Sequence, residues 1–130
     1  MDQVWNQGDF SHLDEYLAPE YQIRHDPRDP WDGKTLNRNE FIERVMYSRN
    51  AFPDLNFATR EMIAEGDRVA IHWTMSGTHQ GDLQNLPATG KPFSITGMTF
   101  YYFDAEGRVC GHSQAFDQLA FLAQIGVLRM

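Results

Sequence analysis

A histidine and a glutamine stand two positions apart near the end of the sequence, in a segment that alternates like a β-strand. Residues 108–117 read RVCGHSQAFD, and the side chains of a strand point alternately to its two faces. One otherwise apolar face is therefore expected to carry Cys110, His112, Gln114 and Phe116. Imidazole can exchange a proton near neutral pH, and an amide can only donate and accept hydrogen bonds. We predict a small-molecule site here, although the face lacks the carboxylate that proton transfer would most naturally use.

Two helices are predicted ahead of the strands. Ser11 with Asp14, and Asn37 with Glu40, have the spacing of helix-start signals. The second helix carries an apolar stripe that is expected to face the sheet. Its members are Phe41, Ile42, Val45 and Met46.

The rest of the chain is rich in predicted strands and ends in a helix capped by Asp117. Residues 65–67 and 104–107 are turn segments between long strand-like runs, which is typical of hairpins. Helices first and antiparallel strands afterwards favour an α+β fold. Because short helices cover only part of a long sheet, we predict a cone-shaped curved antiparallel sheet covered by N-terminal helices, with a short C-terminal helix and a cavity in between. The predicted strands are 21–24, 55–64, 68–79, 92–103 and 108–116.

The strand faces predict both a pocket and a contact surface. The concave face is mostly apolar with a few polar groups, as small-molecule sites are. Its expected members are Trp73, Met75, Thr99, Tyr101, His112, Gln114 and Phe116. The opposite face of residues 92–103 carries Met98, Phe100 and Tyr102. That face is too apolar for water, so we predict a homodimer packed sheet to sheet; the alternative is a covering loop.

The composition of the chain limits the number of domains, the classes of partner and the expected location. The 130 residues suit one domain, residues 1–130, and 42% hydrophobic with 22% charged residues is ordinary for a globular protein. A net charge of −7 with 11 scattered Lys and Arg residues argues against nucleic acid and anionic membranes as partners. The single cysteine, Cys110, cannot form an internal disulfide, and residues 1–8 do not resemble a signal peptide. The expected location is the cytoplasm.

Several segments, in this order, resemble the SnoaL-like polyketide cyclase family of the nuclear-transport-factor-two-like superfamily, and the likeness covers nearly the whole chain. They are residues 4–9 (VWNQGD), 52–55 (FPDL), 63–70 (IAEGDRVA), 77–81 (GTHQG), 86–91 (LPATGK) and 119–126. The resemblance implies a curved sheet with a helical cover, a deep hydrophobic cavity and commonly a dimer. Members have more of the first helix, so that helix is expected to be truncated here.

The resemblance also implies a chemistry. Family cyclases close a ring of a polyketide ester by intramolecular aldol chemistry, with neither a metal nor a covalent intermediate. An aspartate two residues after the histidine of the last strand shuttles the proton, and a histidine on the preceding strand assists. These positions correspond to Gln114 and to the neighbourhood of Thr99. Because glutamine cannot take a proton near neutral pH, the general-base position is vacant here.

Three functions follow from these residues. The first is a cyclase or isomerase for a hydrophobic ester, in which His112 substitutes as the base, helped by Gln114 and His25. The second is a non-catalytic module that binds a small apolar ligand, and the third is a dimeric interaction domain without a ligand. His112 could instead be a buried neutral histidine, and His25 a loop residue. His79 could serve the site or hold a strand end. No metal is expected, since the histidines lack ligand spacing and no cysteine pair exists, and no cofactor is expected.

Overall fold

The structure, a computed structural model, describes residues 2–84 and 86–128. The described part of the chain forms short helices at both ends, one longer helix and a single sheet. The elements in chain order are α1 (Asp2–Trp5), α2 (Leu13–Tyr16), β1 (Leu17–His25), β2 (Thr35–Leu36), α3 (Arg38–Ala51), β3 (Asn56–Glu65), β4 (Arg68–Thr78), β5 (Pro92–Phe103), β6 (Val109–Phe116) and α4 (Gln118–Gln124).

The six strands form one curved, unclosed sheet in the order β2-β1-β6-β5-β4-β3. The α+β class, the curved sheet and the C-terminal helix were predicted, and they are confirmed. Neighbouring strands run antiparallel except β1 and β6, which run parallel. Most of the chain separates these two strands, so no short turn forces them to run in opposite directions. The parallel pair places the end of β1 beside the candidate residues of β6.

The helix caps follow the sequence signals in two of three cases. Asn37 and Glu40 form a reciprocal capping box at the start of α3, and Asp117 accepts from the Ala120 N–H at the start of α4. The prediction for α2 is wrong in detail. This helix starts at Leu13 without a side-chain cap, and the backbone of Ser11 donates to Asp9 instead.

Three strand pairs contain register shifts, β1–β6, β3–β4 and β5–β6, and the shifts in β6 and β1 change the positions of residues that were predicted to face the cavity. In β6, Tyr102 pairs with Gly111 but Phe103 pairs with Val109, which leaves Cys110 as an extra residue in a bulge. Val109 therefore joins the core, and the expected inward position of Cys110 is wrong.

In β1 the register with β6 shifts between Ile23 and His25. Strict alternation would place His25 inside with Tyr21 and Ile23, but the shift leaves His25 exposed and buries Asp26, which is 1% exposed. The expected pocket position of His25 is corrected on this ground.

Helix α3 packs on the sheet through a face that differs from the expected stripe. Its buried residues are Phe41, Arg44, Val45 and Ala51, whereas Met46 is 38% exposed. The core of the described residues forms two clusters. The first contains Val4, Leu13, Leu17, Tyr21, Ile23, Leu36, Phe41, Val45 and Val109, and the second contains Ala51, Phe52, Leu55, Phe93, Ile95 and Ile125.

The outer face of the sheet exposes apolar side chains at Ile63, Met98 and Phe100. Tyr102 was expected among them, but it is only 8% exposed. The guanidinium carbons of Arg24 and Arg68 lie 3.8 and 5.1 Å from its ring centroid, and the Tyr102 hydroxyl donates to Ser113 Oγ. Tyr102 is therefore covered within the chain itself. Among the described residues, none of the helices has the length and apolar character needed to cross a membrane.

Candidate active site

Asp26 is the centre of a buried polar network between the end of β1 and the concave face of the sheet. Its Oδ2 atom accepts from Arg44 Nη2 at 2.9 Å, His112 Nε2 at 2.7 Å and Gln114 Nε2 at 3.3 Å. The three donors come from α3 and β6. Because buried carboxylates need such donors, the network fixes the Asp26 side chain firmly.

His112 lies between Asp26 and Tyr21, with both ring nitrogens occupied. The Tyr21 hydroxyl is 2.6 Å from Nδ1, and Nε2 is 2.7 Å from Asp26 Oδ2. Burial raises the pKa of Tyr21 well above its usual value, so Tyr21 keeps its proton and donates it to Nδ1. The proton of the neutral imidazole then sits on Nε2 and points at the carboxylate. His112 therefore holds Asp26 and has no free nitrogen for a substrate.

Arg44 joins two carboxylates to one helix. Its Nη2 atom is 2.9 Å from Asp26 Oδ2 and 3.0 Å from Asp29 Oδ2, and its Nε atom is 3.1 Å from Asp29 Oδ2. Burial disfavours the guanidinium charge, but the two carboxylates outweigh that effect, and the pKa of Arg44 is raised. The cluster of Asp26, Asp29 and Arg44 carries one net negative charge.

A second chain of hydrogen bonds sets the orientation of Gln114. Trp73 Nε1–H, which can only donate, donates to Thr99 Oγ1 at 2.8 Å. The Thr99 hydroxyl then donates to Gln114 Oε1 at 2.8 Å. The amide nitrogen of Gln114 is left to face Asp26, so this side chain supplies a donor where the family pattern has a carboxylate.

Gly97 makes room for this arrangement. It pairs directly with Trp73 across β4 and β5, and a Cβ atom there would overlap the indole ring and approach Phe116 Cβ to 2.8 Å. A glycine at this register position lets the indole lie flat over the neighbouring strand, with its N–H within reach of Thr99.

Two adjoining cavities meet at this network. The first, which we call the Asp26 cavity, has a volume of about 460 Å³. The second, the His112 cavity, has about 580 Å³. Both volumes are in the range of small-molecule sites. The wall that they share consists of Trp5, Arg44, Phe57, Trp73 and Gln114. The Asp26 cavity is lined further by Phe52, Leu55, Met75, Ile95, Phe116 and Phe121, among others, and the His112 cavity by Tyr21, Ile71, Tyr101 and Val109, among others.

The second carboxylate oxygen of Asp26, Oδ1, is an acceptor on a buried side chain and has no hydrogen-bond partner among the described residues. All three side-chain donors bind Oδ2, and no hydrogen bond within the described residues involves Oδ1. The residue lines the cavity although it is buried. A carboxylate with one oxygen anchored and the other unengaged at a cavity wall can accept a proton from a bound molecule.

The structure brings most of the residues named from the sequence to this region. His112, Gln114, Thr99 and Trp73 belong to the network, Met75 and Phe116 line the Asp26 cavity, and Tyr101 lines the His112 cavity, where burial raises its pKa to about 12. His79 is fully buried, and its Nδ1 lies 3.2 Å from Thr89 Oγ1. Neither His79 nor the exposed His25 lines either cavity.

Sequence reasoning missed Tyr21, Asp26, Asp29 and Arg44 as site residues. One signal for Arg44 was available, since positions 41, 44, 45 and 48 follow the spacing of one helix face. A charged residue at such a position is costly to bury unless it is paired. Asp26 was expected, with His25, only after the short strand and near the cavity mouth, because its buried position depends on the register shift in β1.

The protonation of His112 makes a pH-dependent contribution to stability. Burial lowers the pKa of His112 from 6.5, and the hydrogen bond to Asp26 opposes the shift only in part. The unfolded chain therefore takes up this proton at a higher pH than the folded chain. The stabilisation is complete above pH 6.5 and is lost as the pH falls toward the folded pKa.

We expect urea denaturation to show a free energy of unfolding that falls as the pH drops below about 6.5, with His112 contributing at most about 1.4 kcal/mol per pH unit. His112→Asn should remove this part of the slope. His25→Asn is the matched control, because His25 is exposed, and it should leave the slope unchanged. An equal slope in the native and His112→Asn proteins would contradict the assignment.

Comparison with known proteins agrees with this architecture. The chain matches the profile of the SnoaL-like polyketide cyclases over residues 1–125. No curated protein matches it significantly. Among solved structures it is similar to a candidate polyketide cyclase from Acidithiobacillus ferrooxidans, with 38% identity, a TM-score of 0.84 and coverage of 98% of this chain and 89% of that one.

Two Streptomyces proteins are also similar. TsrD from Streptomyces laurentii has 27% identity and a TM-score of 0.81, with coverage of 97% of this chain and 89% of that one. IdmH from Streptomyces antibioticus, described as a candidate polyketide cyclase, has 28% identity and a TM-score of 0.75, with coverage of 96% and 92%. The chain belongs to the SnoaL-like polyketide cyclase family.

Proposed function

We propose that this protein is a cyclase or isomerase that acts on a hydrophobic carbonyl compound such as a polyketide ester, with Asp26 as its general base. One observation carries the proposal. Asp26 lines a cavity of about 460 Å³, its Oδ2 atom is held by three N–H donors, and its Oδ1 atom is not hydrogen-bonded within the described residues. Asp26 takes the role that the family pattern assigns to position 114.

The chemistry needs only proton transfers and one carbon–carbon bond. A substrate in the Asp26 cavity places an acidic C–H, next to a carbonyl group, against Oδ1. The carboxylate takes the proton, and the enolate carbon attacks a second carbonyl carbon of the same molecule. The oxygen of that carbonyl takes the proton back from Asp26 and becomes a hydroxyl, which leaves Asp26 as a carboxylate again. In an isomerase, Asp26 would instead return the proton to another carbon. General-base catalysis of this kind contributes about 10²–10⁴-fold.

The residues around Asp26 are positioning residues in this scheme. His112, Arg44 and Gln114 hold Oδ2, and the Tyr21 and Thr99 hydroxyls hold His112 and Gln114 in turn. The amide at position 114 suits a base at position 26. A carboxylate at position 114 would lie close to the Asp26 carboxylate, and two such neighbouring groups resist simultaneous ionisation. A glutamine at position 114, which donates to Oδ2, is therefore compatible with a base at the end of β1.

The proposal is tested by incubating the protein with an anthracycline-type polyketide methyl ester in deuterated water. Proton NMR would follow exchange at the acidic carbon, and chromatography would follow ring closure. We expect catalysed exchange and a cyclised or isomerised product. An ester that binds and is recovered unaltered, without deuterium, would contradict catalysis and favour the alternative of a binding module.

We also propose that the protein is a homodimer that packs through the outer face of the sheet. Ile63, Met98 and Phe100 are 68%, 65% and 52% exposed there. Ile63 of β3 and Phe100 of β5 both pair with Ala70 of β4, so these three residues form one row across three neighbouring strands, and Met98 lies beside Phe100 on the same face of β5. A single copy leaves this apolar patch in water, which favours a partner.

The dimer predicts a specific response to charge. Met98→Glu should shift the mass in solution from about twice 15.0 kDa to 15.0 kDa, as measured by light scattering after gel filtration. Met62→Glu is the matched control: Met62 is 64% exposed, but it lines the His112 cavity on the opposite face. A native protein that runs as a monomer would overturn this proposal.

A further inference from the structure

Arg28 occupies a turn position that normally suits glycine. The N–H of Asp29 donates to the carbonyl of Asp26 at 3.0 Å, which closes a turn with Pro27 and Arg28 at its centre. The φ angle of Arg28 is +69°. Turns with proline second and a positive φ third are type II, in which glycine or asparagine is favoured at the third position. An arginine at this position strains the backbone, so its presence calls for a role of the side chain that offsets the strain.

The turn is fixed from several sides. Gln118 Nε2 donates to the Pro27 carbonyl at 2.7 Å, the Asp26 N–H donates to Asp32 Oδ1 at 2.8 Å, and Asp29 is held by Arg44. Strained conformations persist where the surroundings determine them in this way, and they concentrate at ligand sites. The side chain of Arg28 is exposed and lines the Asp26 cavity, so it stands at the mouth.

A second strained residue faces the same mouth from another loop. Gln84 has a φ angle of +43°, is exposed, and also lines the Asp26 cavity. Its N–H is held by the Tyr47 hydroxyl at 2.8 Å. Within residues 2–84 and 86–128, Arg28 and Gln84 are the non-glycine residues with positive φ. Both carry side chains that can donate hydrogen bonds to an oxygen atom.

The charges around the cavity leave Arg28 available. Four charged residues line it, namely Asp26, Arg28, Asp29 and Arg44. Asp26, Asp29 and Arg44 form one ion-paired cluster. Arg28 makes no ion pair or side-chain hydrogen bond within the described part of the chain. The four charges sum to zero. One added carboxylate would leave the cavity with a net charge of −1, whereas a doubly charged phosphate would leave it with −2, so a singly charged group is favoured.

We propose that Arg28, assisted by Gln84, binds a carboxylate on an otherwise apolar substrate, so that the substrate class is hydrophobic keto acids or acid esters. Arginine binds carboxylates in a planar, bidentate geometry. The inference rests on the proposed function in one respect: the Asp26 cavity is the substrate site. The carboxylate would sit at the mouth while the reacting carbon lies at Asp26.

The test compares two probes that differ only in this group, anthraquinone-2-carboxylate and its methyl ester. Quenching of the fluorescence of Trp5 and Trp73, which line the cavity, would report the dissociation constants. We expect the acid to bind the native protein about 10-fold more tightly than the ester, as a charge-assisted hydrogen bond at a partly exposed site allows. High salt should reduce this preference.

Arg28→Gly is the decisive variant. It should abolish the preference for the acid and leave the affinity for the ester within about twofold, while glycine relieves the strain and raises the melting temperature by a few degrees. Arg28→Asn, which also tolerates a positive φ, should behave in the same way. Arg28→Lys should keep part of the preference.

The outcomes separate the two proposals. Equal binding of acid and ester by the native protein, or a preference that survives in Arg28→Gly, would overturn the role of Arg28 and leave the proposed function standing. A cavity that binds neither probe would overturn both.

Discussion

Asp26→Asn is expected to lower kcat for proton exchange and ring closure of a polyketide ester by about 10²–10⁴-fold. Asparagine has the shape of aspartate, and its carbonyl oxygen can accept from the same donors that bind Oδ2. The amide nitrogen then takes the place of Oδ1 at the cavity wall, where it cannot accept a proton. Ester binding, measured as a dissociation constant, should change little, because shape and apolar contacts are kept. The loss should therefore appear in kcat.

Asp29→Asn is the matched control. Asp29 also pairs with Arg44 and lines the Asp26 cavity, but it makes no bond to His112 or Gln114. Its variant should keep kcat within about 10-fold, since general-base catalysis is then intact. Circular dichroism at the assay temperature would establish that both variants are folded. An Asp26→Asn protein with near-native turnover, or an Asp29→Asn protein equally impaired, would contradict the role of Asp26.

Much of the fold could be predicted because its signals are local. The capping box at Asn37, the hairpin turns at residues 65–67 and 104–107, and alternation along β4 each depend on a few neighbouring residues. Their order along the chain suffices for the α+β class. The parallel pairing of β1 with β6 could not be predicted in this way. It joins segments about ninety residues apart, and no turn sequence encodes it.

The site was predictable only as far as strand alternation is regular. His112, Gln114 and Phe116 follow the bulge in β6 and keep the expected face. Cys110 lies within that bulge, so alternation assigned it to the wrong side. His25 was expected in the pocket as a residue just after a short strand 21–24, but β1 continues through His25 with a register shift that leaves it exposed. A shift by one residue exchanges the two faces of a strand. The register shift between Ile23 and His25 in β1 therefore buries Asp26, the carboxylate that strand alternation in β6 could not predict.

Removing the guanidinium of Arg44 is the change with the largest expected effect on stability. Arg44→Met keeps most of the apolar side-chain volume but leaves Asp26, whose side chain is 2% exposed, and Asp29 without their cation. Breaking a buried ion pair by removing one partner costs about 3–5 kcal/mol, because an uncompensated charge remains. We expect the free energy of unfolding from urea denaturation at neutral pH to fall by about that amount, with Arg44→Lys losing less because it keeps the charge.

A triple variant can show whether Arg44→Met loses stability through uncompensated buried charge or through lost packing. Adding Asp26→Asn and Asp29→Asn to Arg44→Met removes the buried charges together with their partner, and buried charge clusters replaced as a whole are often close to neutral in stability. The triple variant should therefore be more stable than Arg44→Met alone, and the difference is a non-additive coupling within one cluster. If the triple variant were less stable than Arg44→Met, the arginine would act through packing on Trp5, whose ring centroid is 5.4 Å from its guanidinium carbon. If Asp26 is the base, function and stability are linked, because the ion pair with Arg44 both holds the Asp26 carboxylate and compensates its buried charge.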